Sequence, residues 1–424
     1  MKLPKGWKTA LLGSNSEVLT GFPFRSEFYS VDGASVRLLR GDNIAQGSVR
    51  WDDAECWPMD KAKGLDRYLL KLGDVVLAMD RTWVKAGLKY ARLKTSDLPC
   101  LLVQRVARIR GTENLLTDFA AFLISSDRFV QHVKGVQTES AVPHISTEQI
   151  KDFPVTIPPL PEQRKIADIL STWDEALEKL DALITSKERR KKGLMQQLLT
   201  GESRLSGAKD TKRTLKASEM FANRSERNVG CLPALSVTQD QGVLLRSDLD
   251  RRIQHDANNI HTYKVACEGD FIISLRSFEG GLEYTSITGA VSPAYHVIYP
   301  IIEMDRSFYR HYFKSPDFIG RLATSVIGIR DGKQVSLEDF RFIRLPYPAL
   351  NTQKEAGKVL DVCDEELRLL RAQRAAIDQQ KRGLMQKLLT GKVRVRDKDT
   401  KTNTDRQRQA RTYKDGKGPV VDRP

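Results

Sequence analysis

Cysteine is scarce: Cys56, Cys100, Cys231, Cys267 and Cys363 are spread over 424 residues, with no two at the spacing of a zinc knuckle or redox motif. That excludes a disulfide miniprotein and reads as reduced thiols in a cytoplasmic protein. Long apolar runs are missing too. No segment approaches the ~20 residues that span a bilayer, and MKLPKGWKTALLGSNSE has no apolar stretch before a cleavage site. The chain is expected to be neither exported nor membrane-embedded. Its six histidines, His132, His144, His255, His261, His296 and His311, are dispersed and none pairs at helical ligand spacing, so no metal site is expected. No G-x-x-x-x-G-K-[ST] loop cradles phosphates, and no Gly-x-Gly-x-x-Gly opens a dinucleotide fold. The chain is expected to hold no cofactor and to catalyse nothing by itself.

What is abundant is positive charge. Lys+Arg number 69 against 54 Asp+Glu, a net +15 with pI ≈ 9.5. Such a field attracts polyanions, nucleic acid first and an anionic membrane surface second. At 40% apolar and 29% charged residues the composition is that of a soluble globular protein, and the length accommodates roughly three domains of ~150 residues.

The chain repeats itself once. KKGLMQQLLTG at Lys191–Gly201 returns as KRGLMQKLLTG at Lys381–Gly391, 190 residues on, and the same offset aligns Pro158 with Pro348, Gln163 with Gln353, and Asp174-Glu175 with Asp364-Glu365. Each copy opens with a proline-rich stop, runs Pro-free for about 38 residues, and closes on a Thr-Gly that supplies a left-handed helix exit. Each therefore reads as one helix of about 57 Å. Apolar residues recur at 3-4 spacing, Leu170, Trp173, Leu177, Leu180, Ile184, Leu194 and Leu198 in the first copy, Leu360, Cys363, Leu367, Leu370, Ile377, Leu384 and Leu388 in the second. That spacing makes a coiled-coil seam. Lys187, Lys191, Arg374 and Lys381 interrupt it, as charges that fix register do, and an antiparallel pairing suits a chain that must return along the same seam.

The resulting expectation is an α+β protein with a pseudo-two-fold internal repeat, two globular domains separated by two long helices that form an antiparallel coiled coil. Its boundaries are a first domain at 1–157, a helix at 158–201, a linker at 202–219, a second domain at 220–347, a helix at 348–391 and a polar basic tail at 392–424. GDVVLAMDR (Gly73–Arg81) and GDFIISLRS (Gly269–Ser277) each read as a buried strand entered by a Gly-Asp turn. Arginine suits guanine and Asn or Gln suit adenine, so the candidate nucleic-acid contacts are Arg37, Arg40 and Asn43, Arg81 and Lys85, Arg246 with Arg251 and Arg252, Arg276, and Arg330, Lys333 and Gln334. Ser292-Pro293-Ala294-Tyr295 lacks the second proline of an amino-methyltransferase signature and reads as a turn.

Two unlike domains, each followed by a matching helix, PLPEQRKIA opening the first and GLMQxLLTG closing both, resemble the DNA-specificity subunit of type I restriction-modification systems over nearly the whole chain. Pro4-Lys5-Gly6-Trp7, Gly41-Asp42-Asn43-Ile44, Gly269 through Tyr284 and Val291-Ser292-Pro293-Ala294-Tyr295 support the likeness. The resemblance implies that each domain is a target-recognition domain reading one half of a split, asymmetric site in double-stranded DNA, with the helices, the family's conserved regions, setting the gap. It further implies two modification (methyltransferase) subunits docked on this chain, restriction (translocase/endonuclease) subunits joined through them, S-adenosylmethionine, ATP and magnesium held in those partners, and no membrane. The docking and spacer residues it points to are Pro161, Gln163, Trp173, Leu177, Leu180, Leu194 and Leu198, with Gln353, Leu367, Leu370, Leu384 and Leu388. Asn351-Thr352-Gln353 replaces Pro161-Glu162-Gln163 and Cys363 replaces Trp173, so the second docking surface is expected to be the weaker. Two other classes fit the composition: a free-standing bipartite DNA-binding regulator, and a nuclease with carboxylates near Asp270 or Glu268.

Overall fold

The computed structural model describes residues 3–30, 35–85, 87–137, 143–200, 213–228, 232–239, 242–248, 257–275, 277–325 and 336–395. The chain divides into two compact units, Met1–Glu178 with Ala375–Pro424, and Lys179–Arg374. Each unit is one α+β domain plus the opening part of the long helix that follows it and the closing part of the other long helix.

In the first unit, strand Lys8–Leu11 pairs antiparallel with Pro154–Ile157, tying the start of the domain to the residues just before the helix. Behind it lies a four-stranded antiparallel sheet in the order Ser16–Thr20, Val106–Gly111, Val75–Ala78, Tyr90–Arg92. The Gly-Asp strand is apolar throughout because both of its faces are covered. Val75 and Leu77 join Phe119, Phe122 and Phe129 of the short helices, while Val76 and Ala78 join Leu39, Ile44 and Leu102. Such strands read as continuous apolar runs without alternation. A three-stranded sheet, Cys56–Pro58, Ser35–Leu39 and Cys100–Leu102, extends the domain outward.

The second unit repeats the plan. Thr214–Lys216 pairs with Arg344–Pro346, and the four-stranded order is Phe221–Arg224, His296–Pro300, Phe271–Ile273, Glu283–Tyr284. Again the Gly-Asp strand is split between two clusters, Phe271 and Ile273 in one, Ile272 in the other.

The long helices run Leu160–Leu199 and Leu350–Leu389, 40 residues each, starting 190 residues apart as the repeat requires. Within each unit their segments are antiparallel and bridged by ion pairs. Asp174 binds Lys381 in the first unit; in the second, Asp364 binds Lys191, Glu366 binds Lys187, Glu188 binds Arg371 at 2.6 Å, and Asp181 binds Arg374 at 2.9 Å. The four cations that interrupt the apolar seam are thus each matched by a carboxylate of the opposite helix. Asp174–Lys381 and Asp364–Lys191 are one pair of the repeat with the two copies exchanged.

Two expected boundaries move. Residues 214–219 belong to the second domain and not to a linker, because Thr214–Lys216 is a sheet strand and Ala217 is fully buried. An edge strand that turns Thr214 and Lys216 outward looks like linker in the sequence. Residues 392–395 belong to the first unit: Gly391 takes the left-handed exit (φ 70°), Val395 packs on the core, and Arg394 pairs with Glu162 at 2.7 Å. Residues 201–212 of the expected linker and 396–424 of the tail lie outside the described residues. Cys56, Cys100, Cys267 and Cys363 are free thiols, and Cys231 lies outside. No described helix is long and apolar enough to cross a membrane.

Candidate nucleic-acid interface

Both Gly-Asp turns are built on a buried carboxylate. Asp74 accepts from Lys71 N at 2.8 Å and from Arg110 Nε and Nη2 at 2.7 and 2.6 Å; Asp270 accepts from Cys267 N at 2.9 Å and from Arg224 Nε at 2.7 Å. Hydrogen bonding to these carboxylates raises the pKa of both arginines. Asp270, considered above as a nuclease carboxylate, is therefore 2% exposed and committed to its turn. Among the described residues no group of three His, Cys, Asp or Glu is placed to hold a metal ion. Ser292–Tyr295 forms the expected turn, closed by Tyr295 N donating to Ser292 O at 3.1 Å.

The sequence candidates meet different fates. Arg37 is committed internally: its guanidinium donates to Ser96 O and Leu98 O at 3.0 and 3.1 Å and lies 4.3 Å from the Trp51 ring centroid. Asn43, expected to reach adenine, is 8% exposed with its amide engaged, Oδ1 accepting from Arg40 N at 3.1 Å and Nδ2 donating to Arg50 O at 3.2 Å. It ties the backbone of Arg40 to that of Arg50. Arg246 is half-buried, donates to the Tyr263 hydroxyl at 3.3 Å, and has no partner for Nε among the described residues. Arg251, Arg252, Arg276, Arg330, Lys333 and Gln334 lie outside the described residues.

Arg81 and Lys85 are exposed beyond the end of the Gly-Asp strand. Arg81 is held at φ 44°, a left-handed backbone that costs a bulky residue about 1 kcal/mol or more. Arg105, which the sequence did not single out, is held likewise at φ 68°, its carbonyl accepting from Met79 N. Asp80 joins these loops by pairing with Arg105 at 3.5 Å and with His144. Strained backbone of this kind concentrates at functional sites. The fold thus brings Arg40 of one motif and Arg81 of another to one end of the first domain's sheets, together with Arg50, Lys89 and Arg105. Lys89 lies between Leu88 and Tyr90, and a charge inside that apolar run is the signal that marks it.

On the helices, Gln163 and Gln353 are fully buried. Gln163 accepts from Leu116 N and donates to Asn114 O and Pro158 O, each at 2.8 Å; Gln353 accepts from Asp305 N at 2.9 Å and donates to Pro348 O at 2.8 Å. Neither is accessible to a partner. They fasten each helix start to its own domain. Leu177, Leu180, Leu198, Leu367 and Leu388 are buried within the units, Trp173, Leu194, Leu370 and Leu384 are half-buried, and Pro161 is exposed. Val362, Leu369 and Leu183 are among the apolar side chains left on the helix surfaces, 61%, 53% and 42% exposed.

Comparison with known proteins agrees with this architecture. Residues 39–185 match the model of the type I restriction modification DNA specificity domain. The specificity subunit of the EcoAI type I restriction enzyme of Escherichia coli is 37% identical over 183 residues, 43% of this chain and 30% of that protein. The MjaVIII specificity subunit of Methanocaldococcus jannaschii is 28% identical over 205 residues, 48% of each chain. The chain thus spans about half or less of the length of these two curated relatives. Among solved structures, the type I restriction-modification S subunit of M. genitalium superposes with a TM-score of 0.56 at 14% identity, covering 92% of this chain and 98% of its own. A chain from a study of complex assembly and conformational transition of the type I R-M system gives 0.55 at 17%, covering 93% and 100%. These likenesses establish the fold across nearly the whole length, and residues 39–185 are similar to the type I restriction modification DNA specificity domain.

Proposed function

We propose that this chain is the DNA sequence-specificity subunit of a type I restriction-modification enzyme, acting in the cytoplasm on a bipartite, asymmetric site. Each domain reads one half of the site and the helix pair sets the gap between halves. Modification subunits supply S-adenosylmethionine and adenine methyl transfer, restriction subunits join through them with ATP and magnesium, and this chain supplies the address. The observation that carries the reading is the duplication of one plan: in each unit a domain with its own buried Gly-Asp turn is closed by the start of one long helix and the end of the other. Two like readers joined by long helices suit two contacts on one duplex, where half-site spacing follows from protein geometry. The basic excess suits the phosphate backbone.

The test is affinity purification of the full-length chain from its host. Methyltransferase chains should co-purify, and the assembly should methylate duplex DNA while the chain freed of them does not. A chain that emerges alone and still binds a bipartite site would be a free-standing regulator.

A further inference from the structure

Lys89 is the least explained charge in the first unit. Its side chain is only 6% exposed, and among the described residues its ammonium donates no hydrogen bond; the nearest carboxylate oxygen, Asp42 Oδ1, is 3.9 Å away on a side chain that is itself 73% exposed. Burying most of a lysine side chain with its counter-ion 3.9 Å away is unfavourable, and an anion at the ammonium would offset that cost. The backbone around it is fully paired: Lys89 N donates to Thr82 O at 2.7 Å, and Lys89 O accepts from Ala78 N at 3.0 Å. The lysine is thereby fixed next to the segment carrying Arg81. The Asn43 amide ties the backbone of Arg40 to that of Arg50, and Arg40 reaches Asp42 at 3.9 Å and Glu55 at 3.8 Å. Burial lowers the Lys89 pKa, Asp42 opposes that, and Arg50 and Arg81 lower it further, so two more cations act on the ammonium from nearby. Asp42 is the one carboxylate paired with Lys89 among the described residues, and it is shared with Arg40.

We infer that Lys89, Arg81 and Arg50 form an oxyanion site that grips one phosphodiester of the DNA backbone, with Asp42 as a displaceable stand-in and Asn43 as the positioning residue. This rests on the reading of the chain as a DNA-binding subunit. A phosphate brings the charge and acceptor oxygens that the buried ammonium lacks. Such a contact positions the domain on the duplex without reading bases.

The experiment uses the full-length chain with any co-purifying subunits retained, and measures duplex affinity against salt for wild type, Lys89→Met, Arg81→Gln and a helix-surface control, Lys192→Gln. Lys89→Met and Arg81→Gln should each lower the slope of log K against log[salt] by about 0.9, and Lys89→Met should weaken binding roughly tenfold or more on every sequence, leaving site preference unchanged. Lys192→Gln should do neither. Lys89→Met should not lower the Tm of the free protein, since it removes a buried charge at similar volume; that separates a ligand site from a structural ion pair with Asp42. A wild-type slope in both substituted proteins overturns the phosphate site while leaving DNA binding intact. Absence of salt-dependent duplex binding in wild type overturns the DNA reading itself. The other source of the same chemistry is free phosphate: Lys89-dependent thermal protection by inorganic phosphate, with an unchanged DNA slope, also overturns the proposal.

Discussion

Gln163 and Gln353 stand at equivalent places and bind in equivalent ways, each accepting from the backbone N–H at the start of a short domain helix and donating to a proline carbonyl just before its own long helix. Replacing either by alanine leaves a buried N–H and a buried carbonyl unpaired, at about 1–3 kcal/mol per group. Gln163→Ala and Gln353→Ala should therefore each destabilise the protein by about 2–4 kcal/mol, read as a lower urea midpoint; a midpoint unchanged from wild type would contradict the assignment. The recurrence of these glutamines was legible in the sequence, whereas their burial was not. The partners Leu116 and Asp305 lie 47 and 48 residues away, and no local pattern announces such a pairing. Asn43 misled for the same reason. An Asn in a Gly-Asp-Asn turn looks free to read a base until Arg50, seven residues on, is seen to take its amide.

At the scale of elements, the helices were the most legible feature, because a strict repeat carried both the apolar seam and its stops. The cations on the seam became intelligible once their carboxylates were found on the opposite helix, a relation that an antiparallel pairing hides from any single window of sequence. The edge strand Thr214–Lys216 was lost to the linker because it buries so little. If the helices set the half-site gap, inserting one heptad after Ala182 and one after Ala372 keeps the seam and lengthens the spacer by about 10 Å. The Asp181–Arg374 bridge shows that these positions lie at about the same level of the pair. Ten ångströms is about 3 bp of B-form DNA, so sites selected from a library of randomised spacers should favour a gap longer by about that amount. Affinity should fall as well, since 3 bp also turns one half-site by roughly 100° about the duplex. Full affinity for the original gap would leave the helices as scaffold only.

At the scale of the molecule, the +15 net charge pointed toward a polyanionic partner and the duplication toward two domains of like plan. The cation cluster was only half legible: Arg40 and Arg81 stood in recognisable motifs, but Lys89 and Arg50 join them through sheet pairing and the Asn43 clamp, which only the fold supplies. The central claim is that each domain reads its own half-site alone. It is tested most directly by exchanging residues 1–157 for the corresponding domain of a relative and sequencing the DNA sites selected by the hybrid subunit in its assembled enzyme. The account predicts that one half of the bipartite site changes while the other half and the gap between them stay as they were. Selected sites in which both halves change would contradict it.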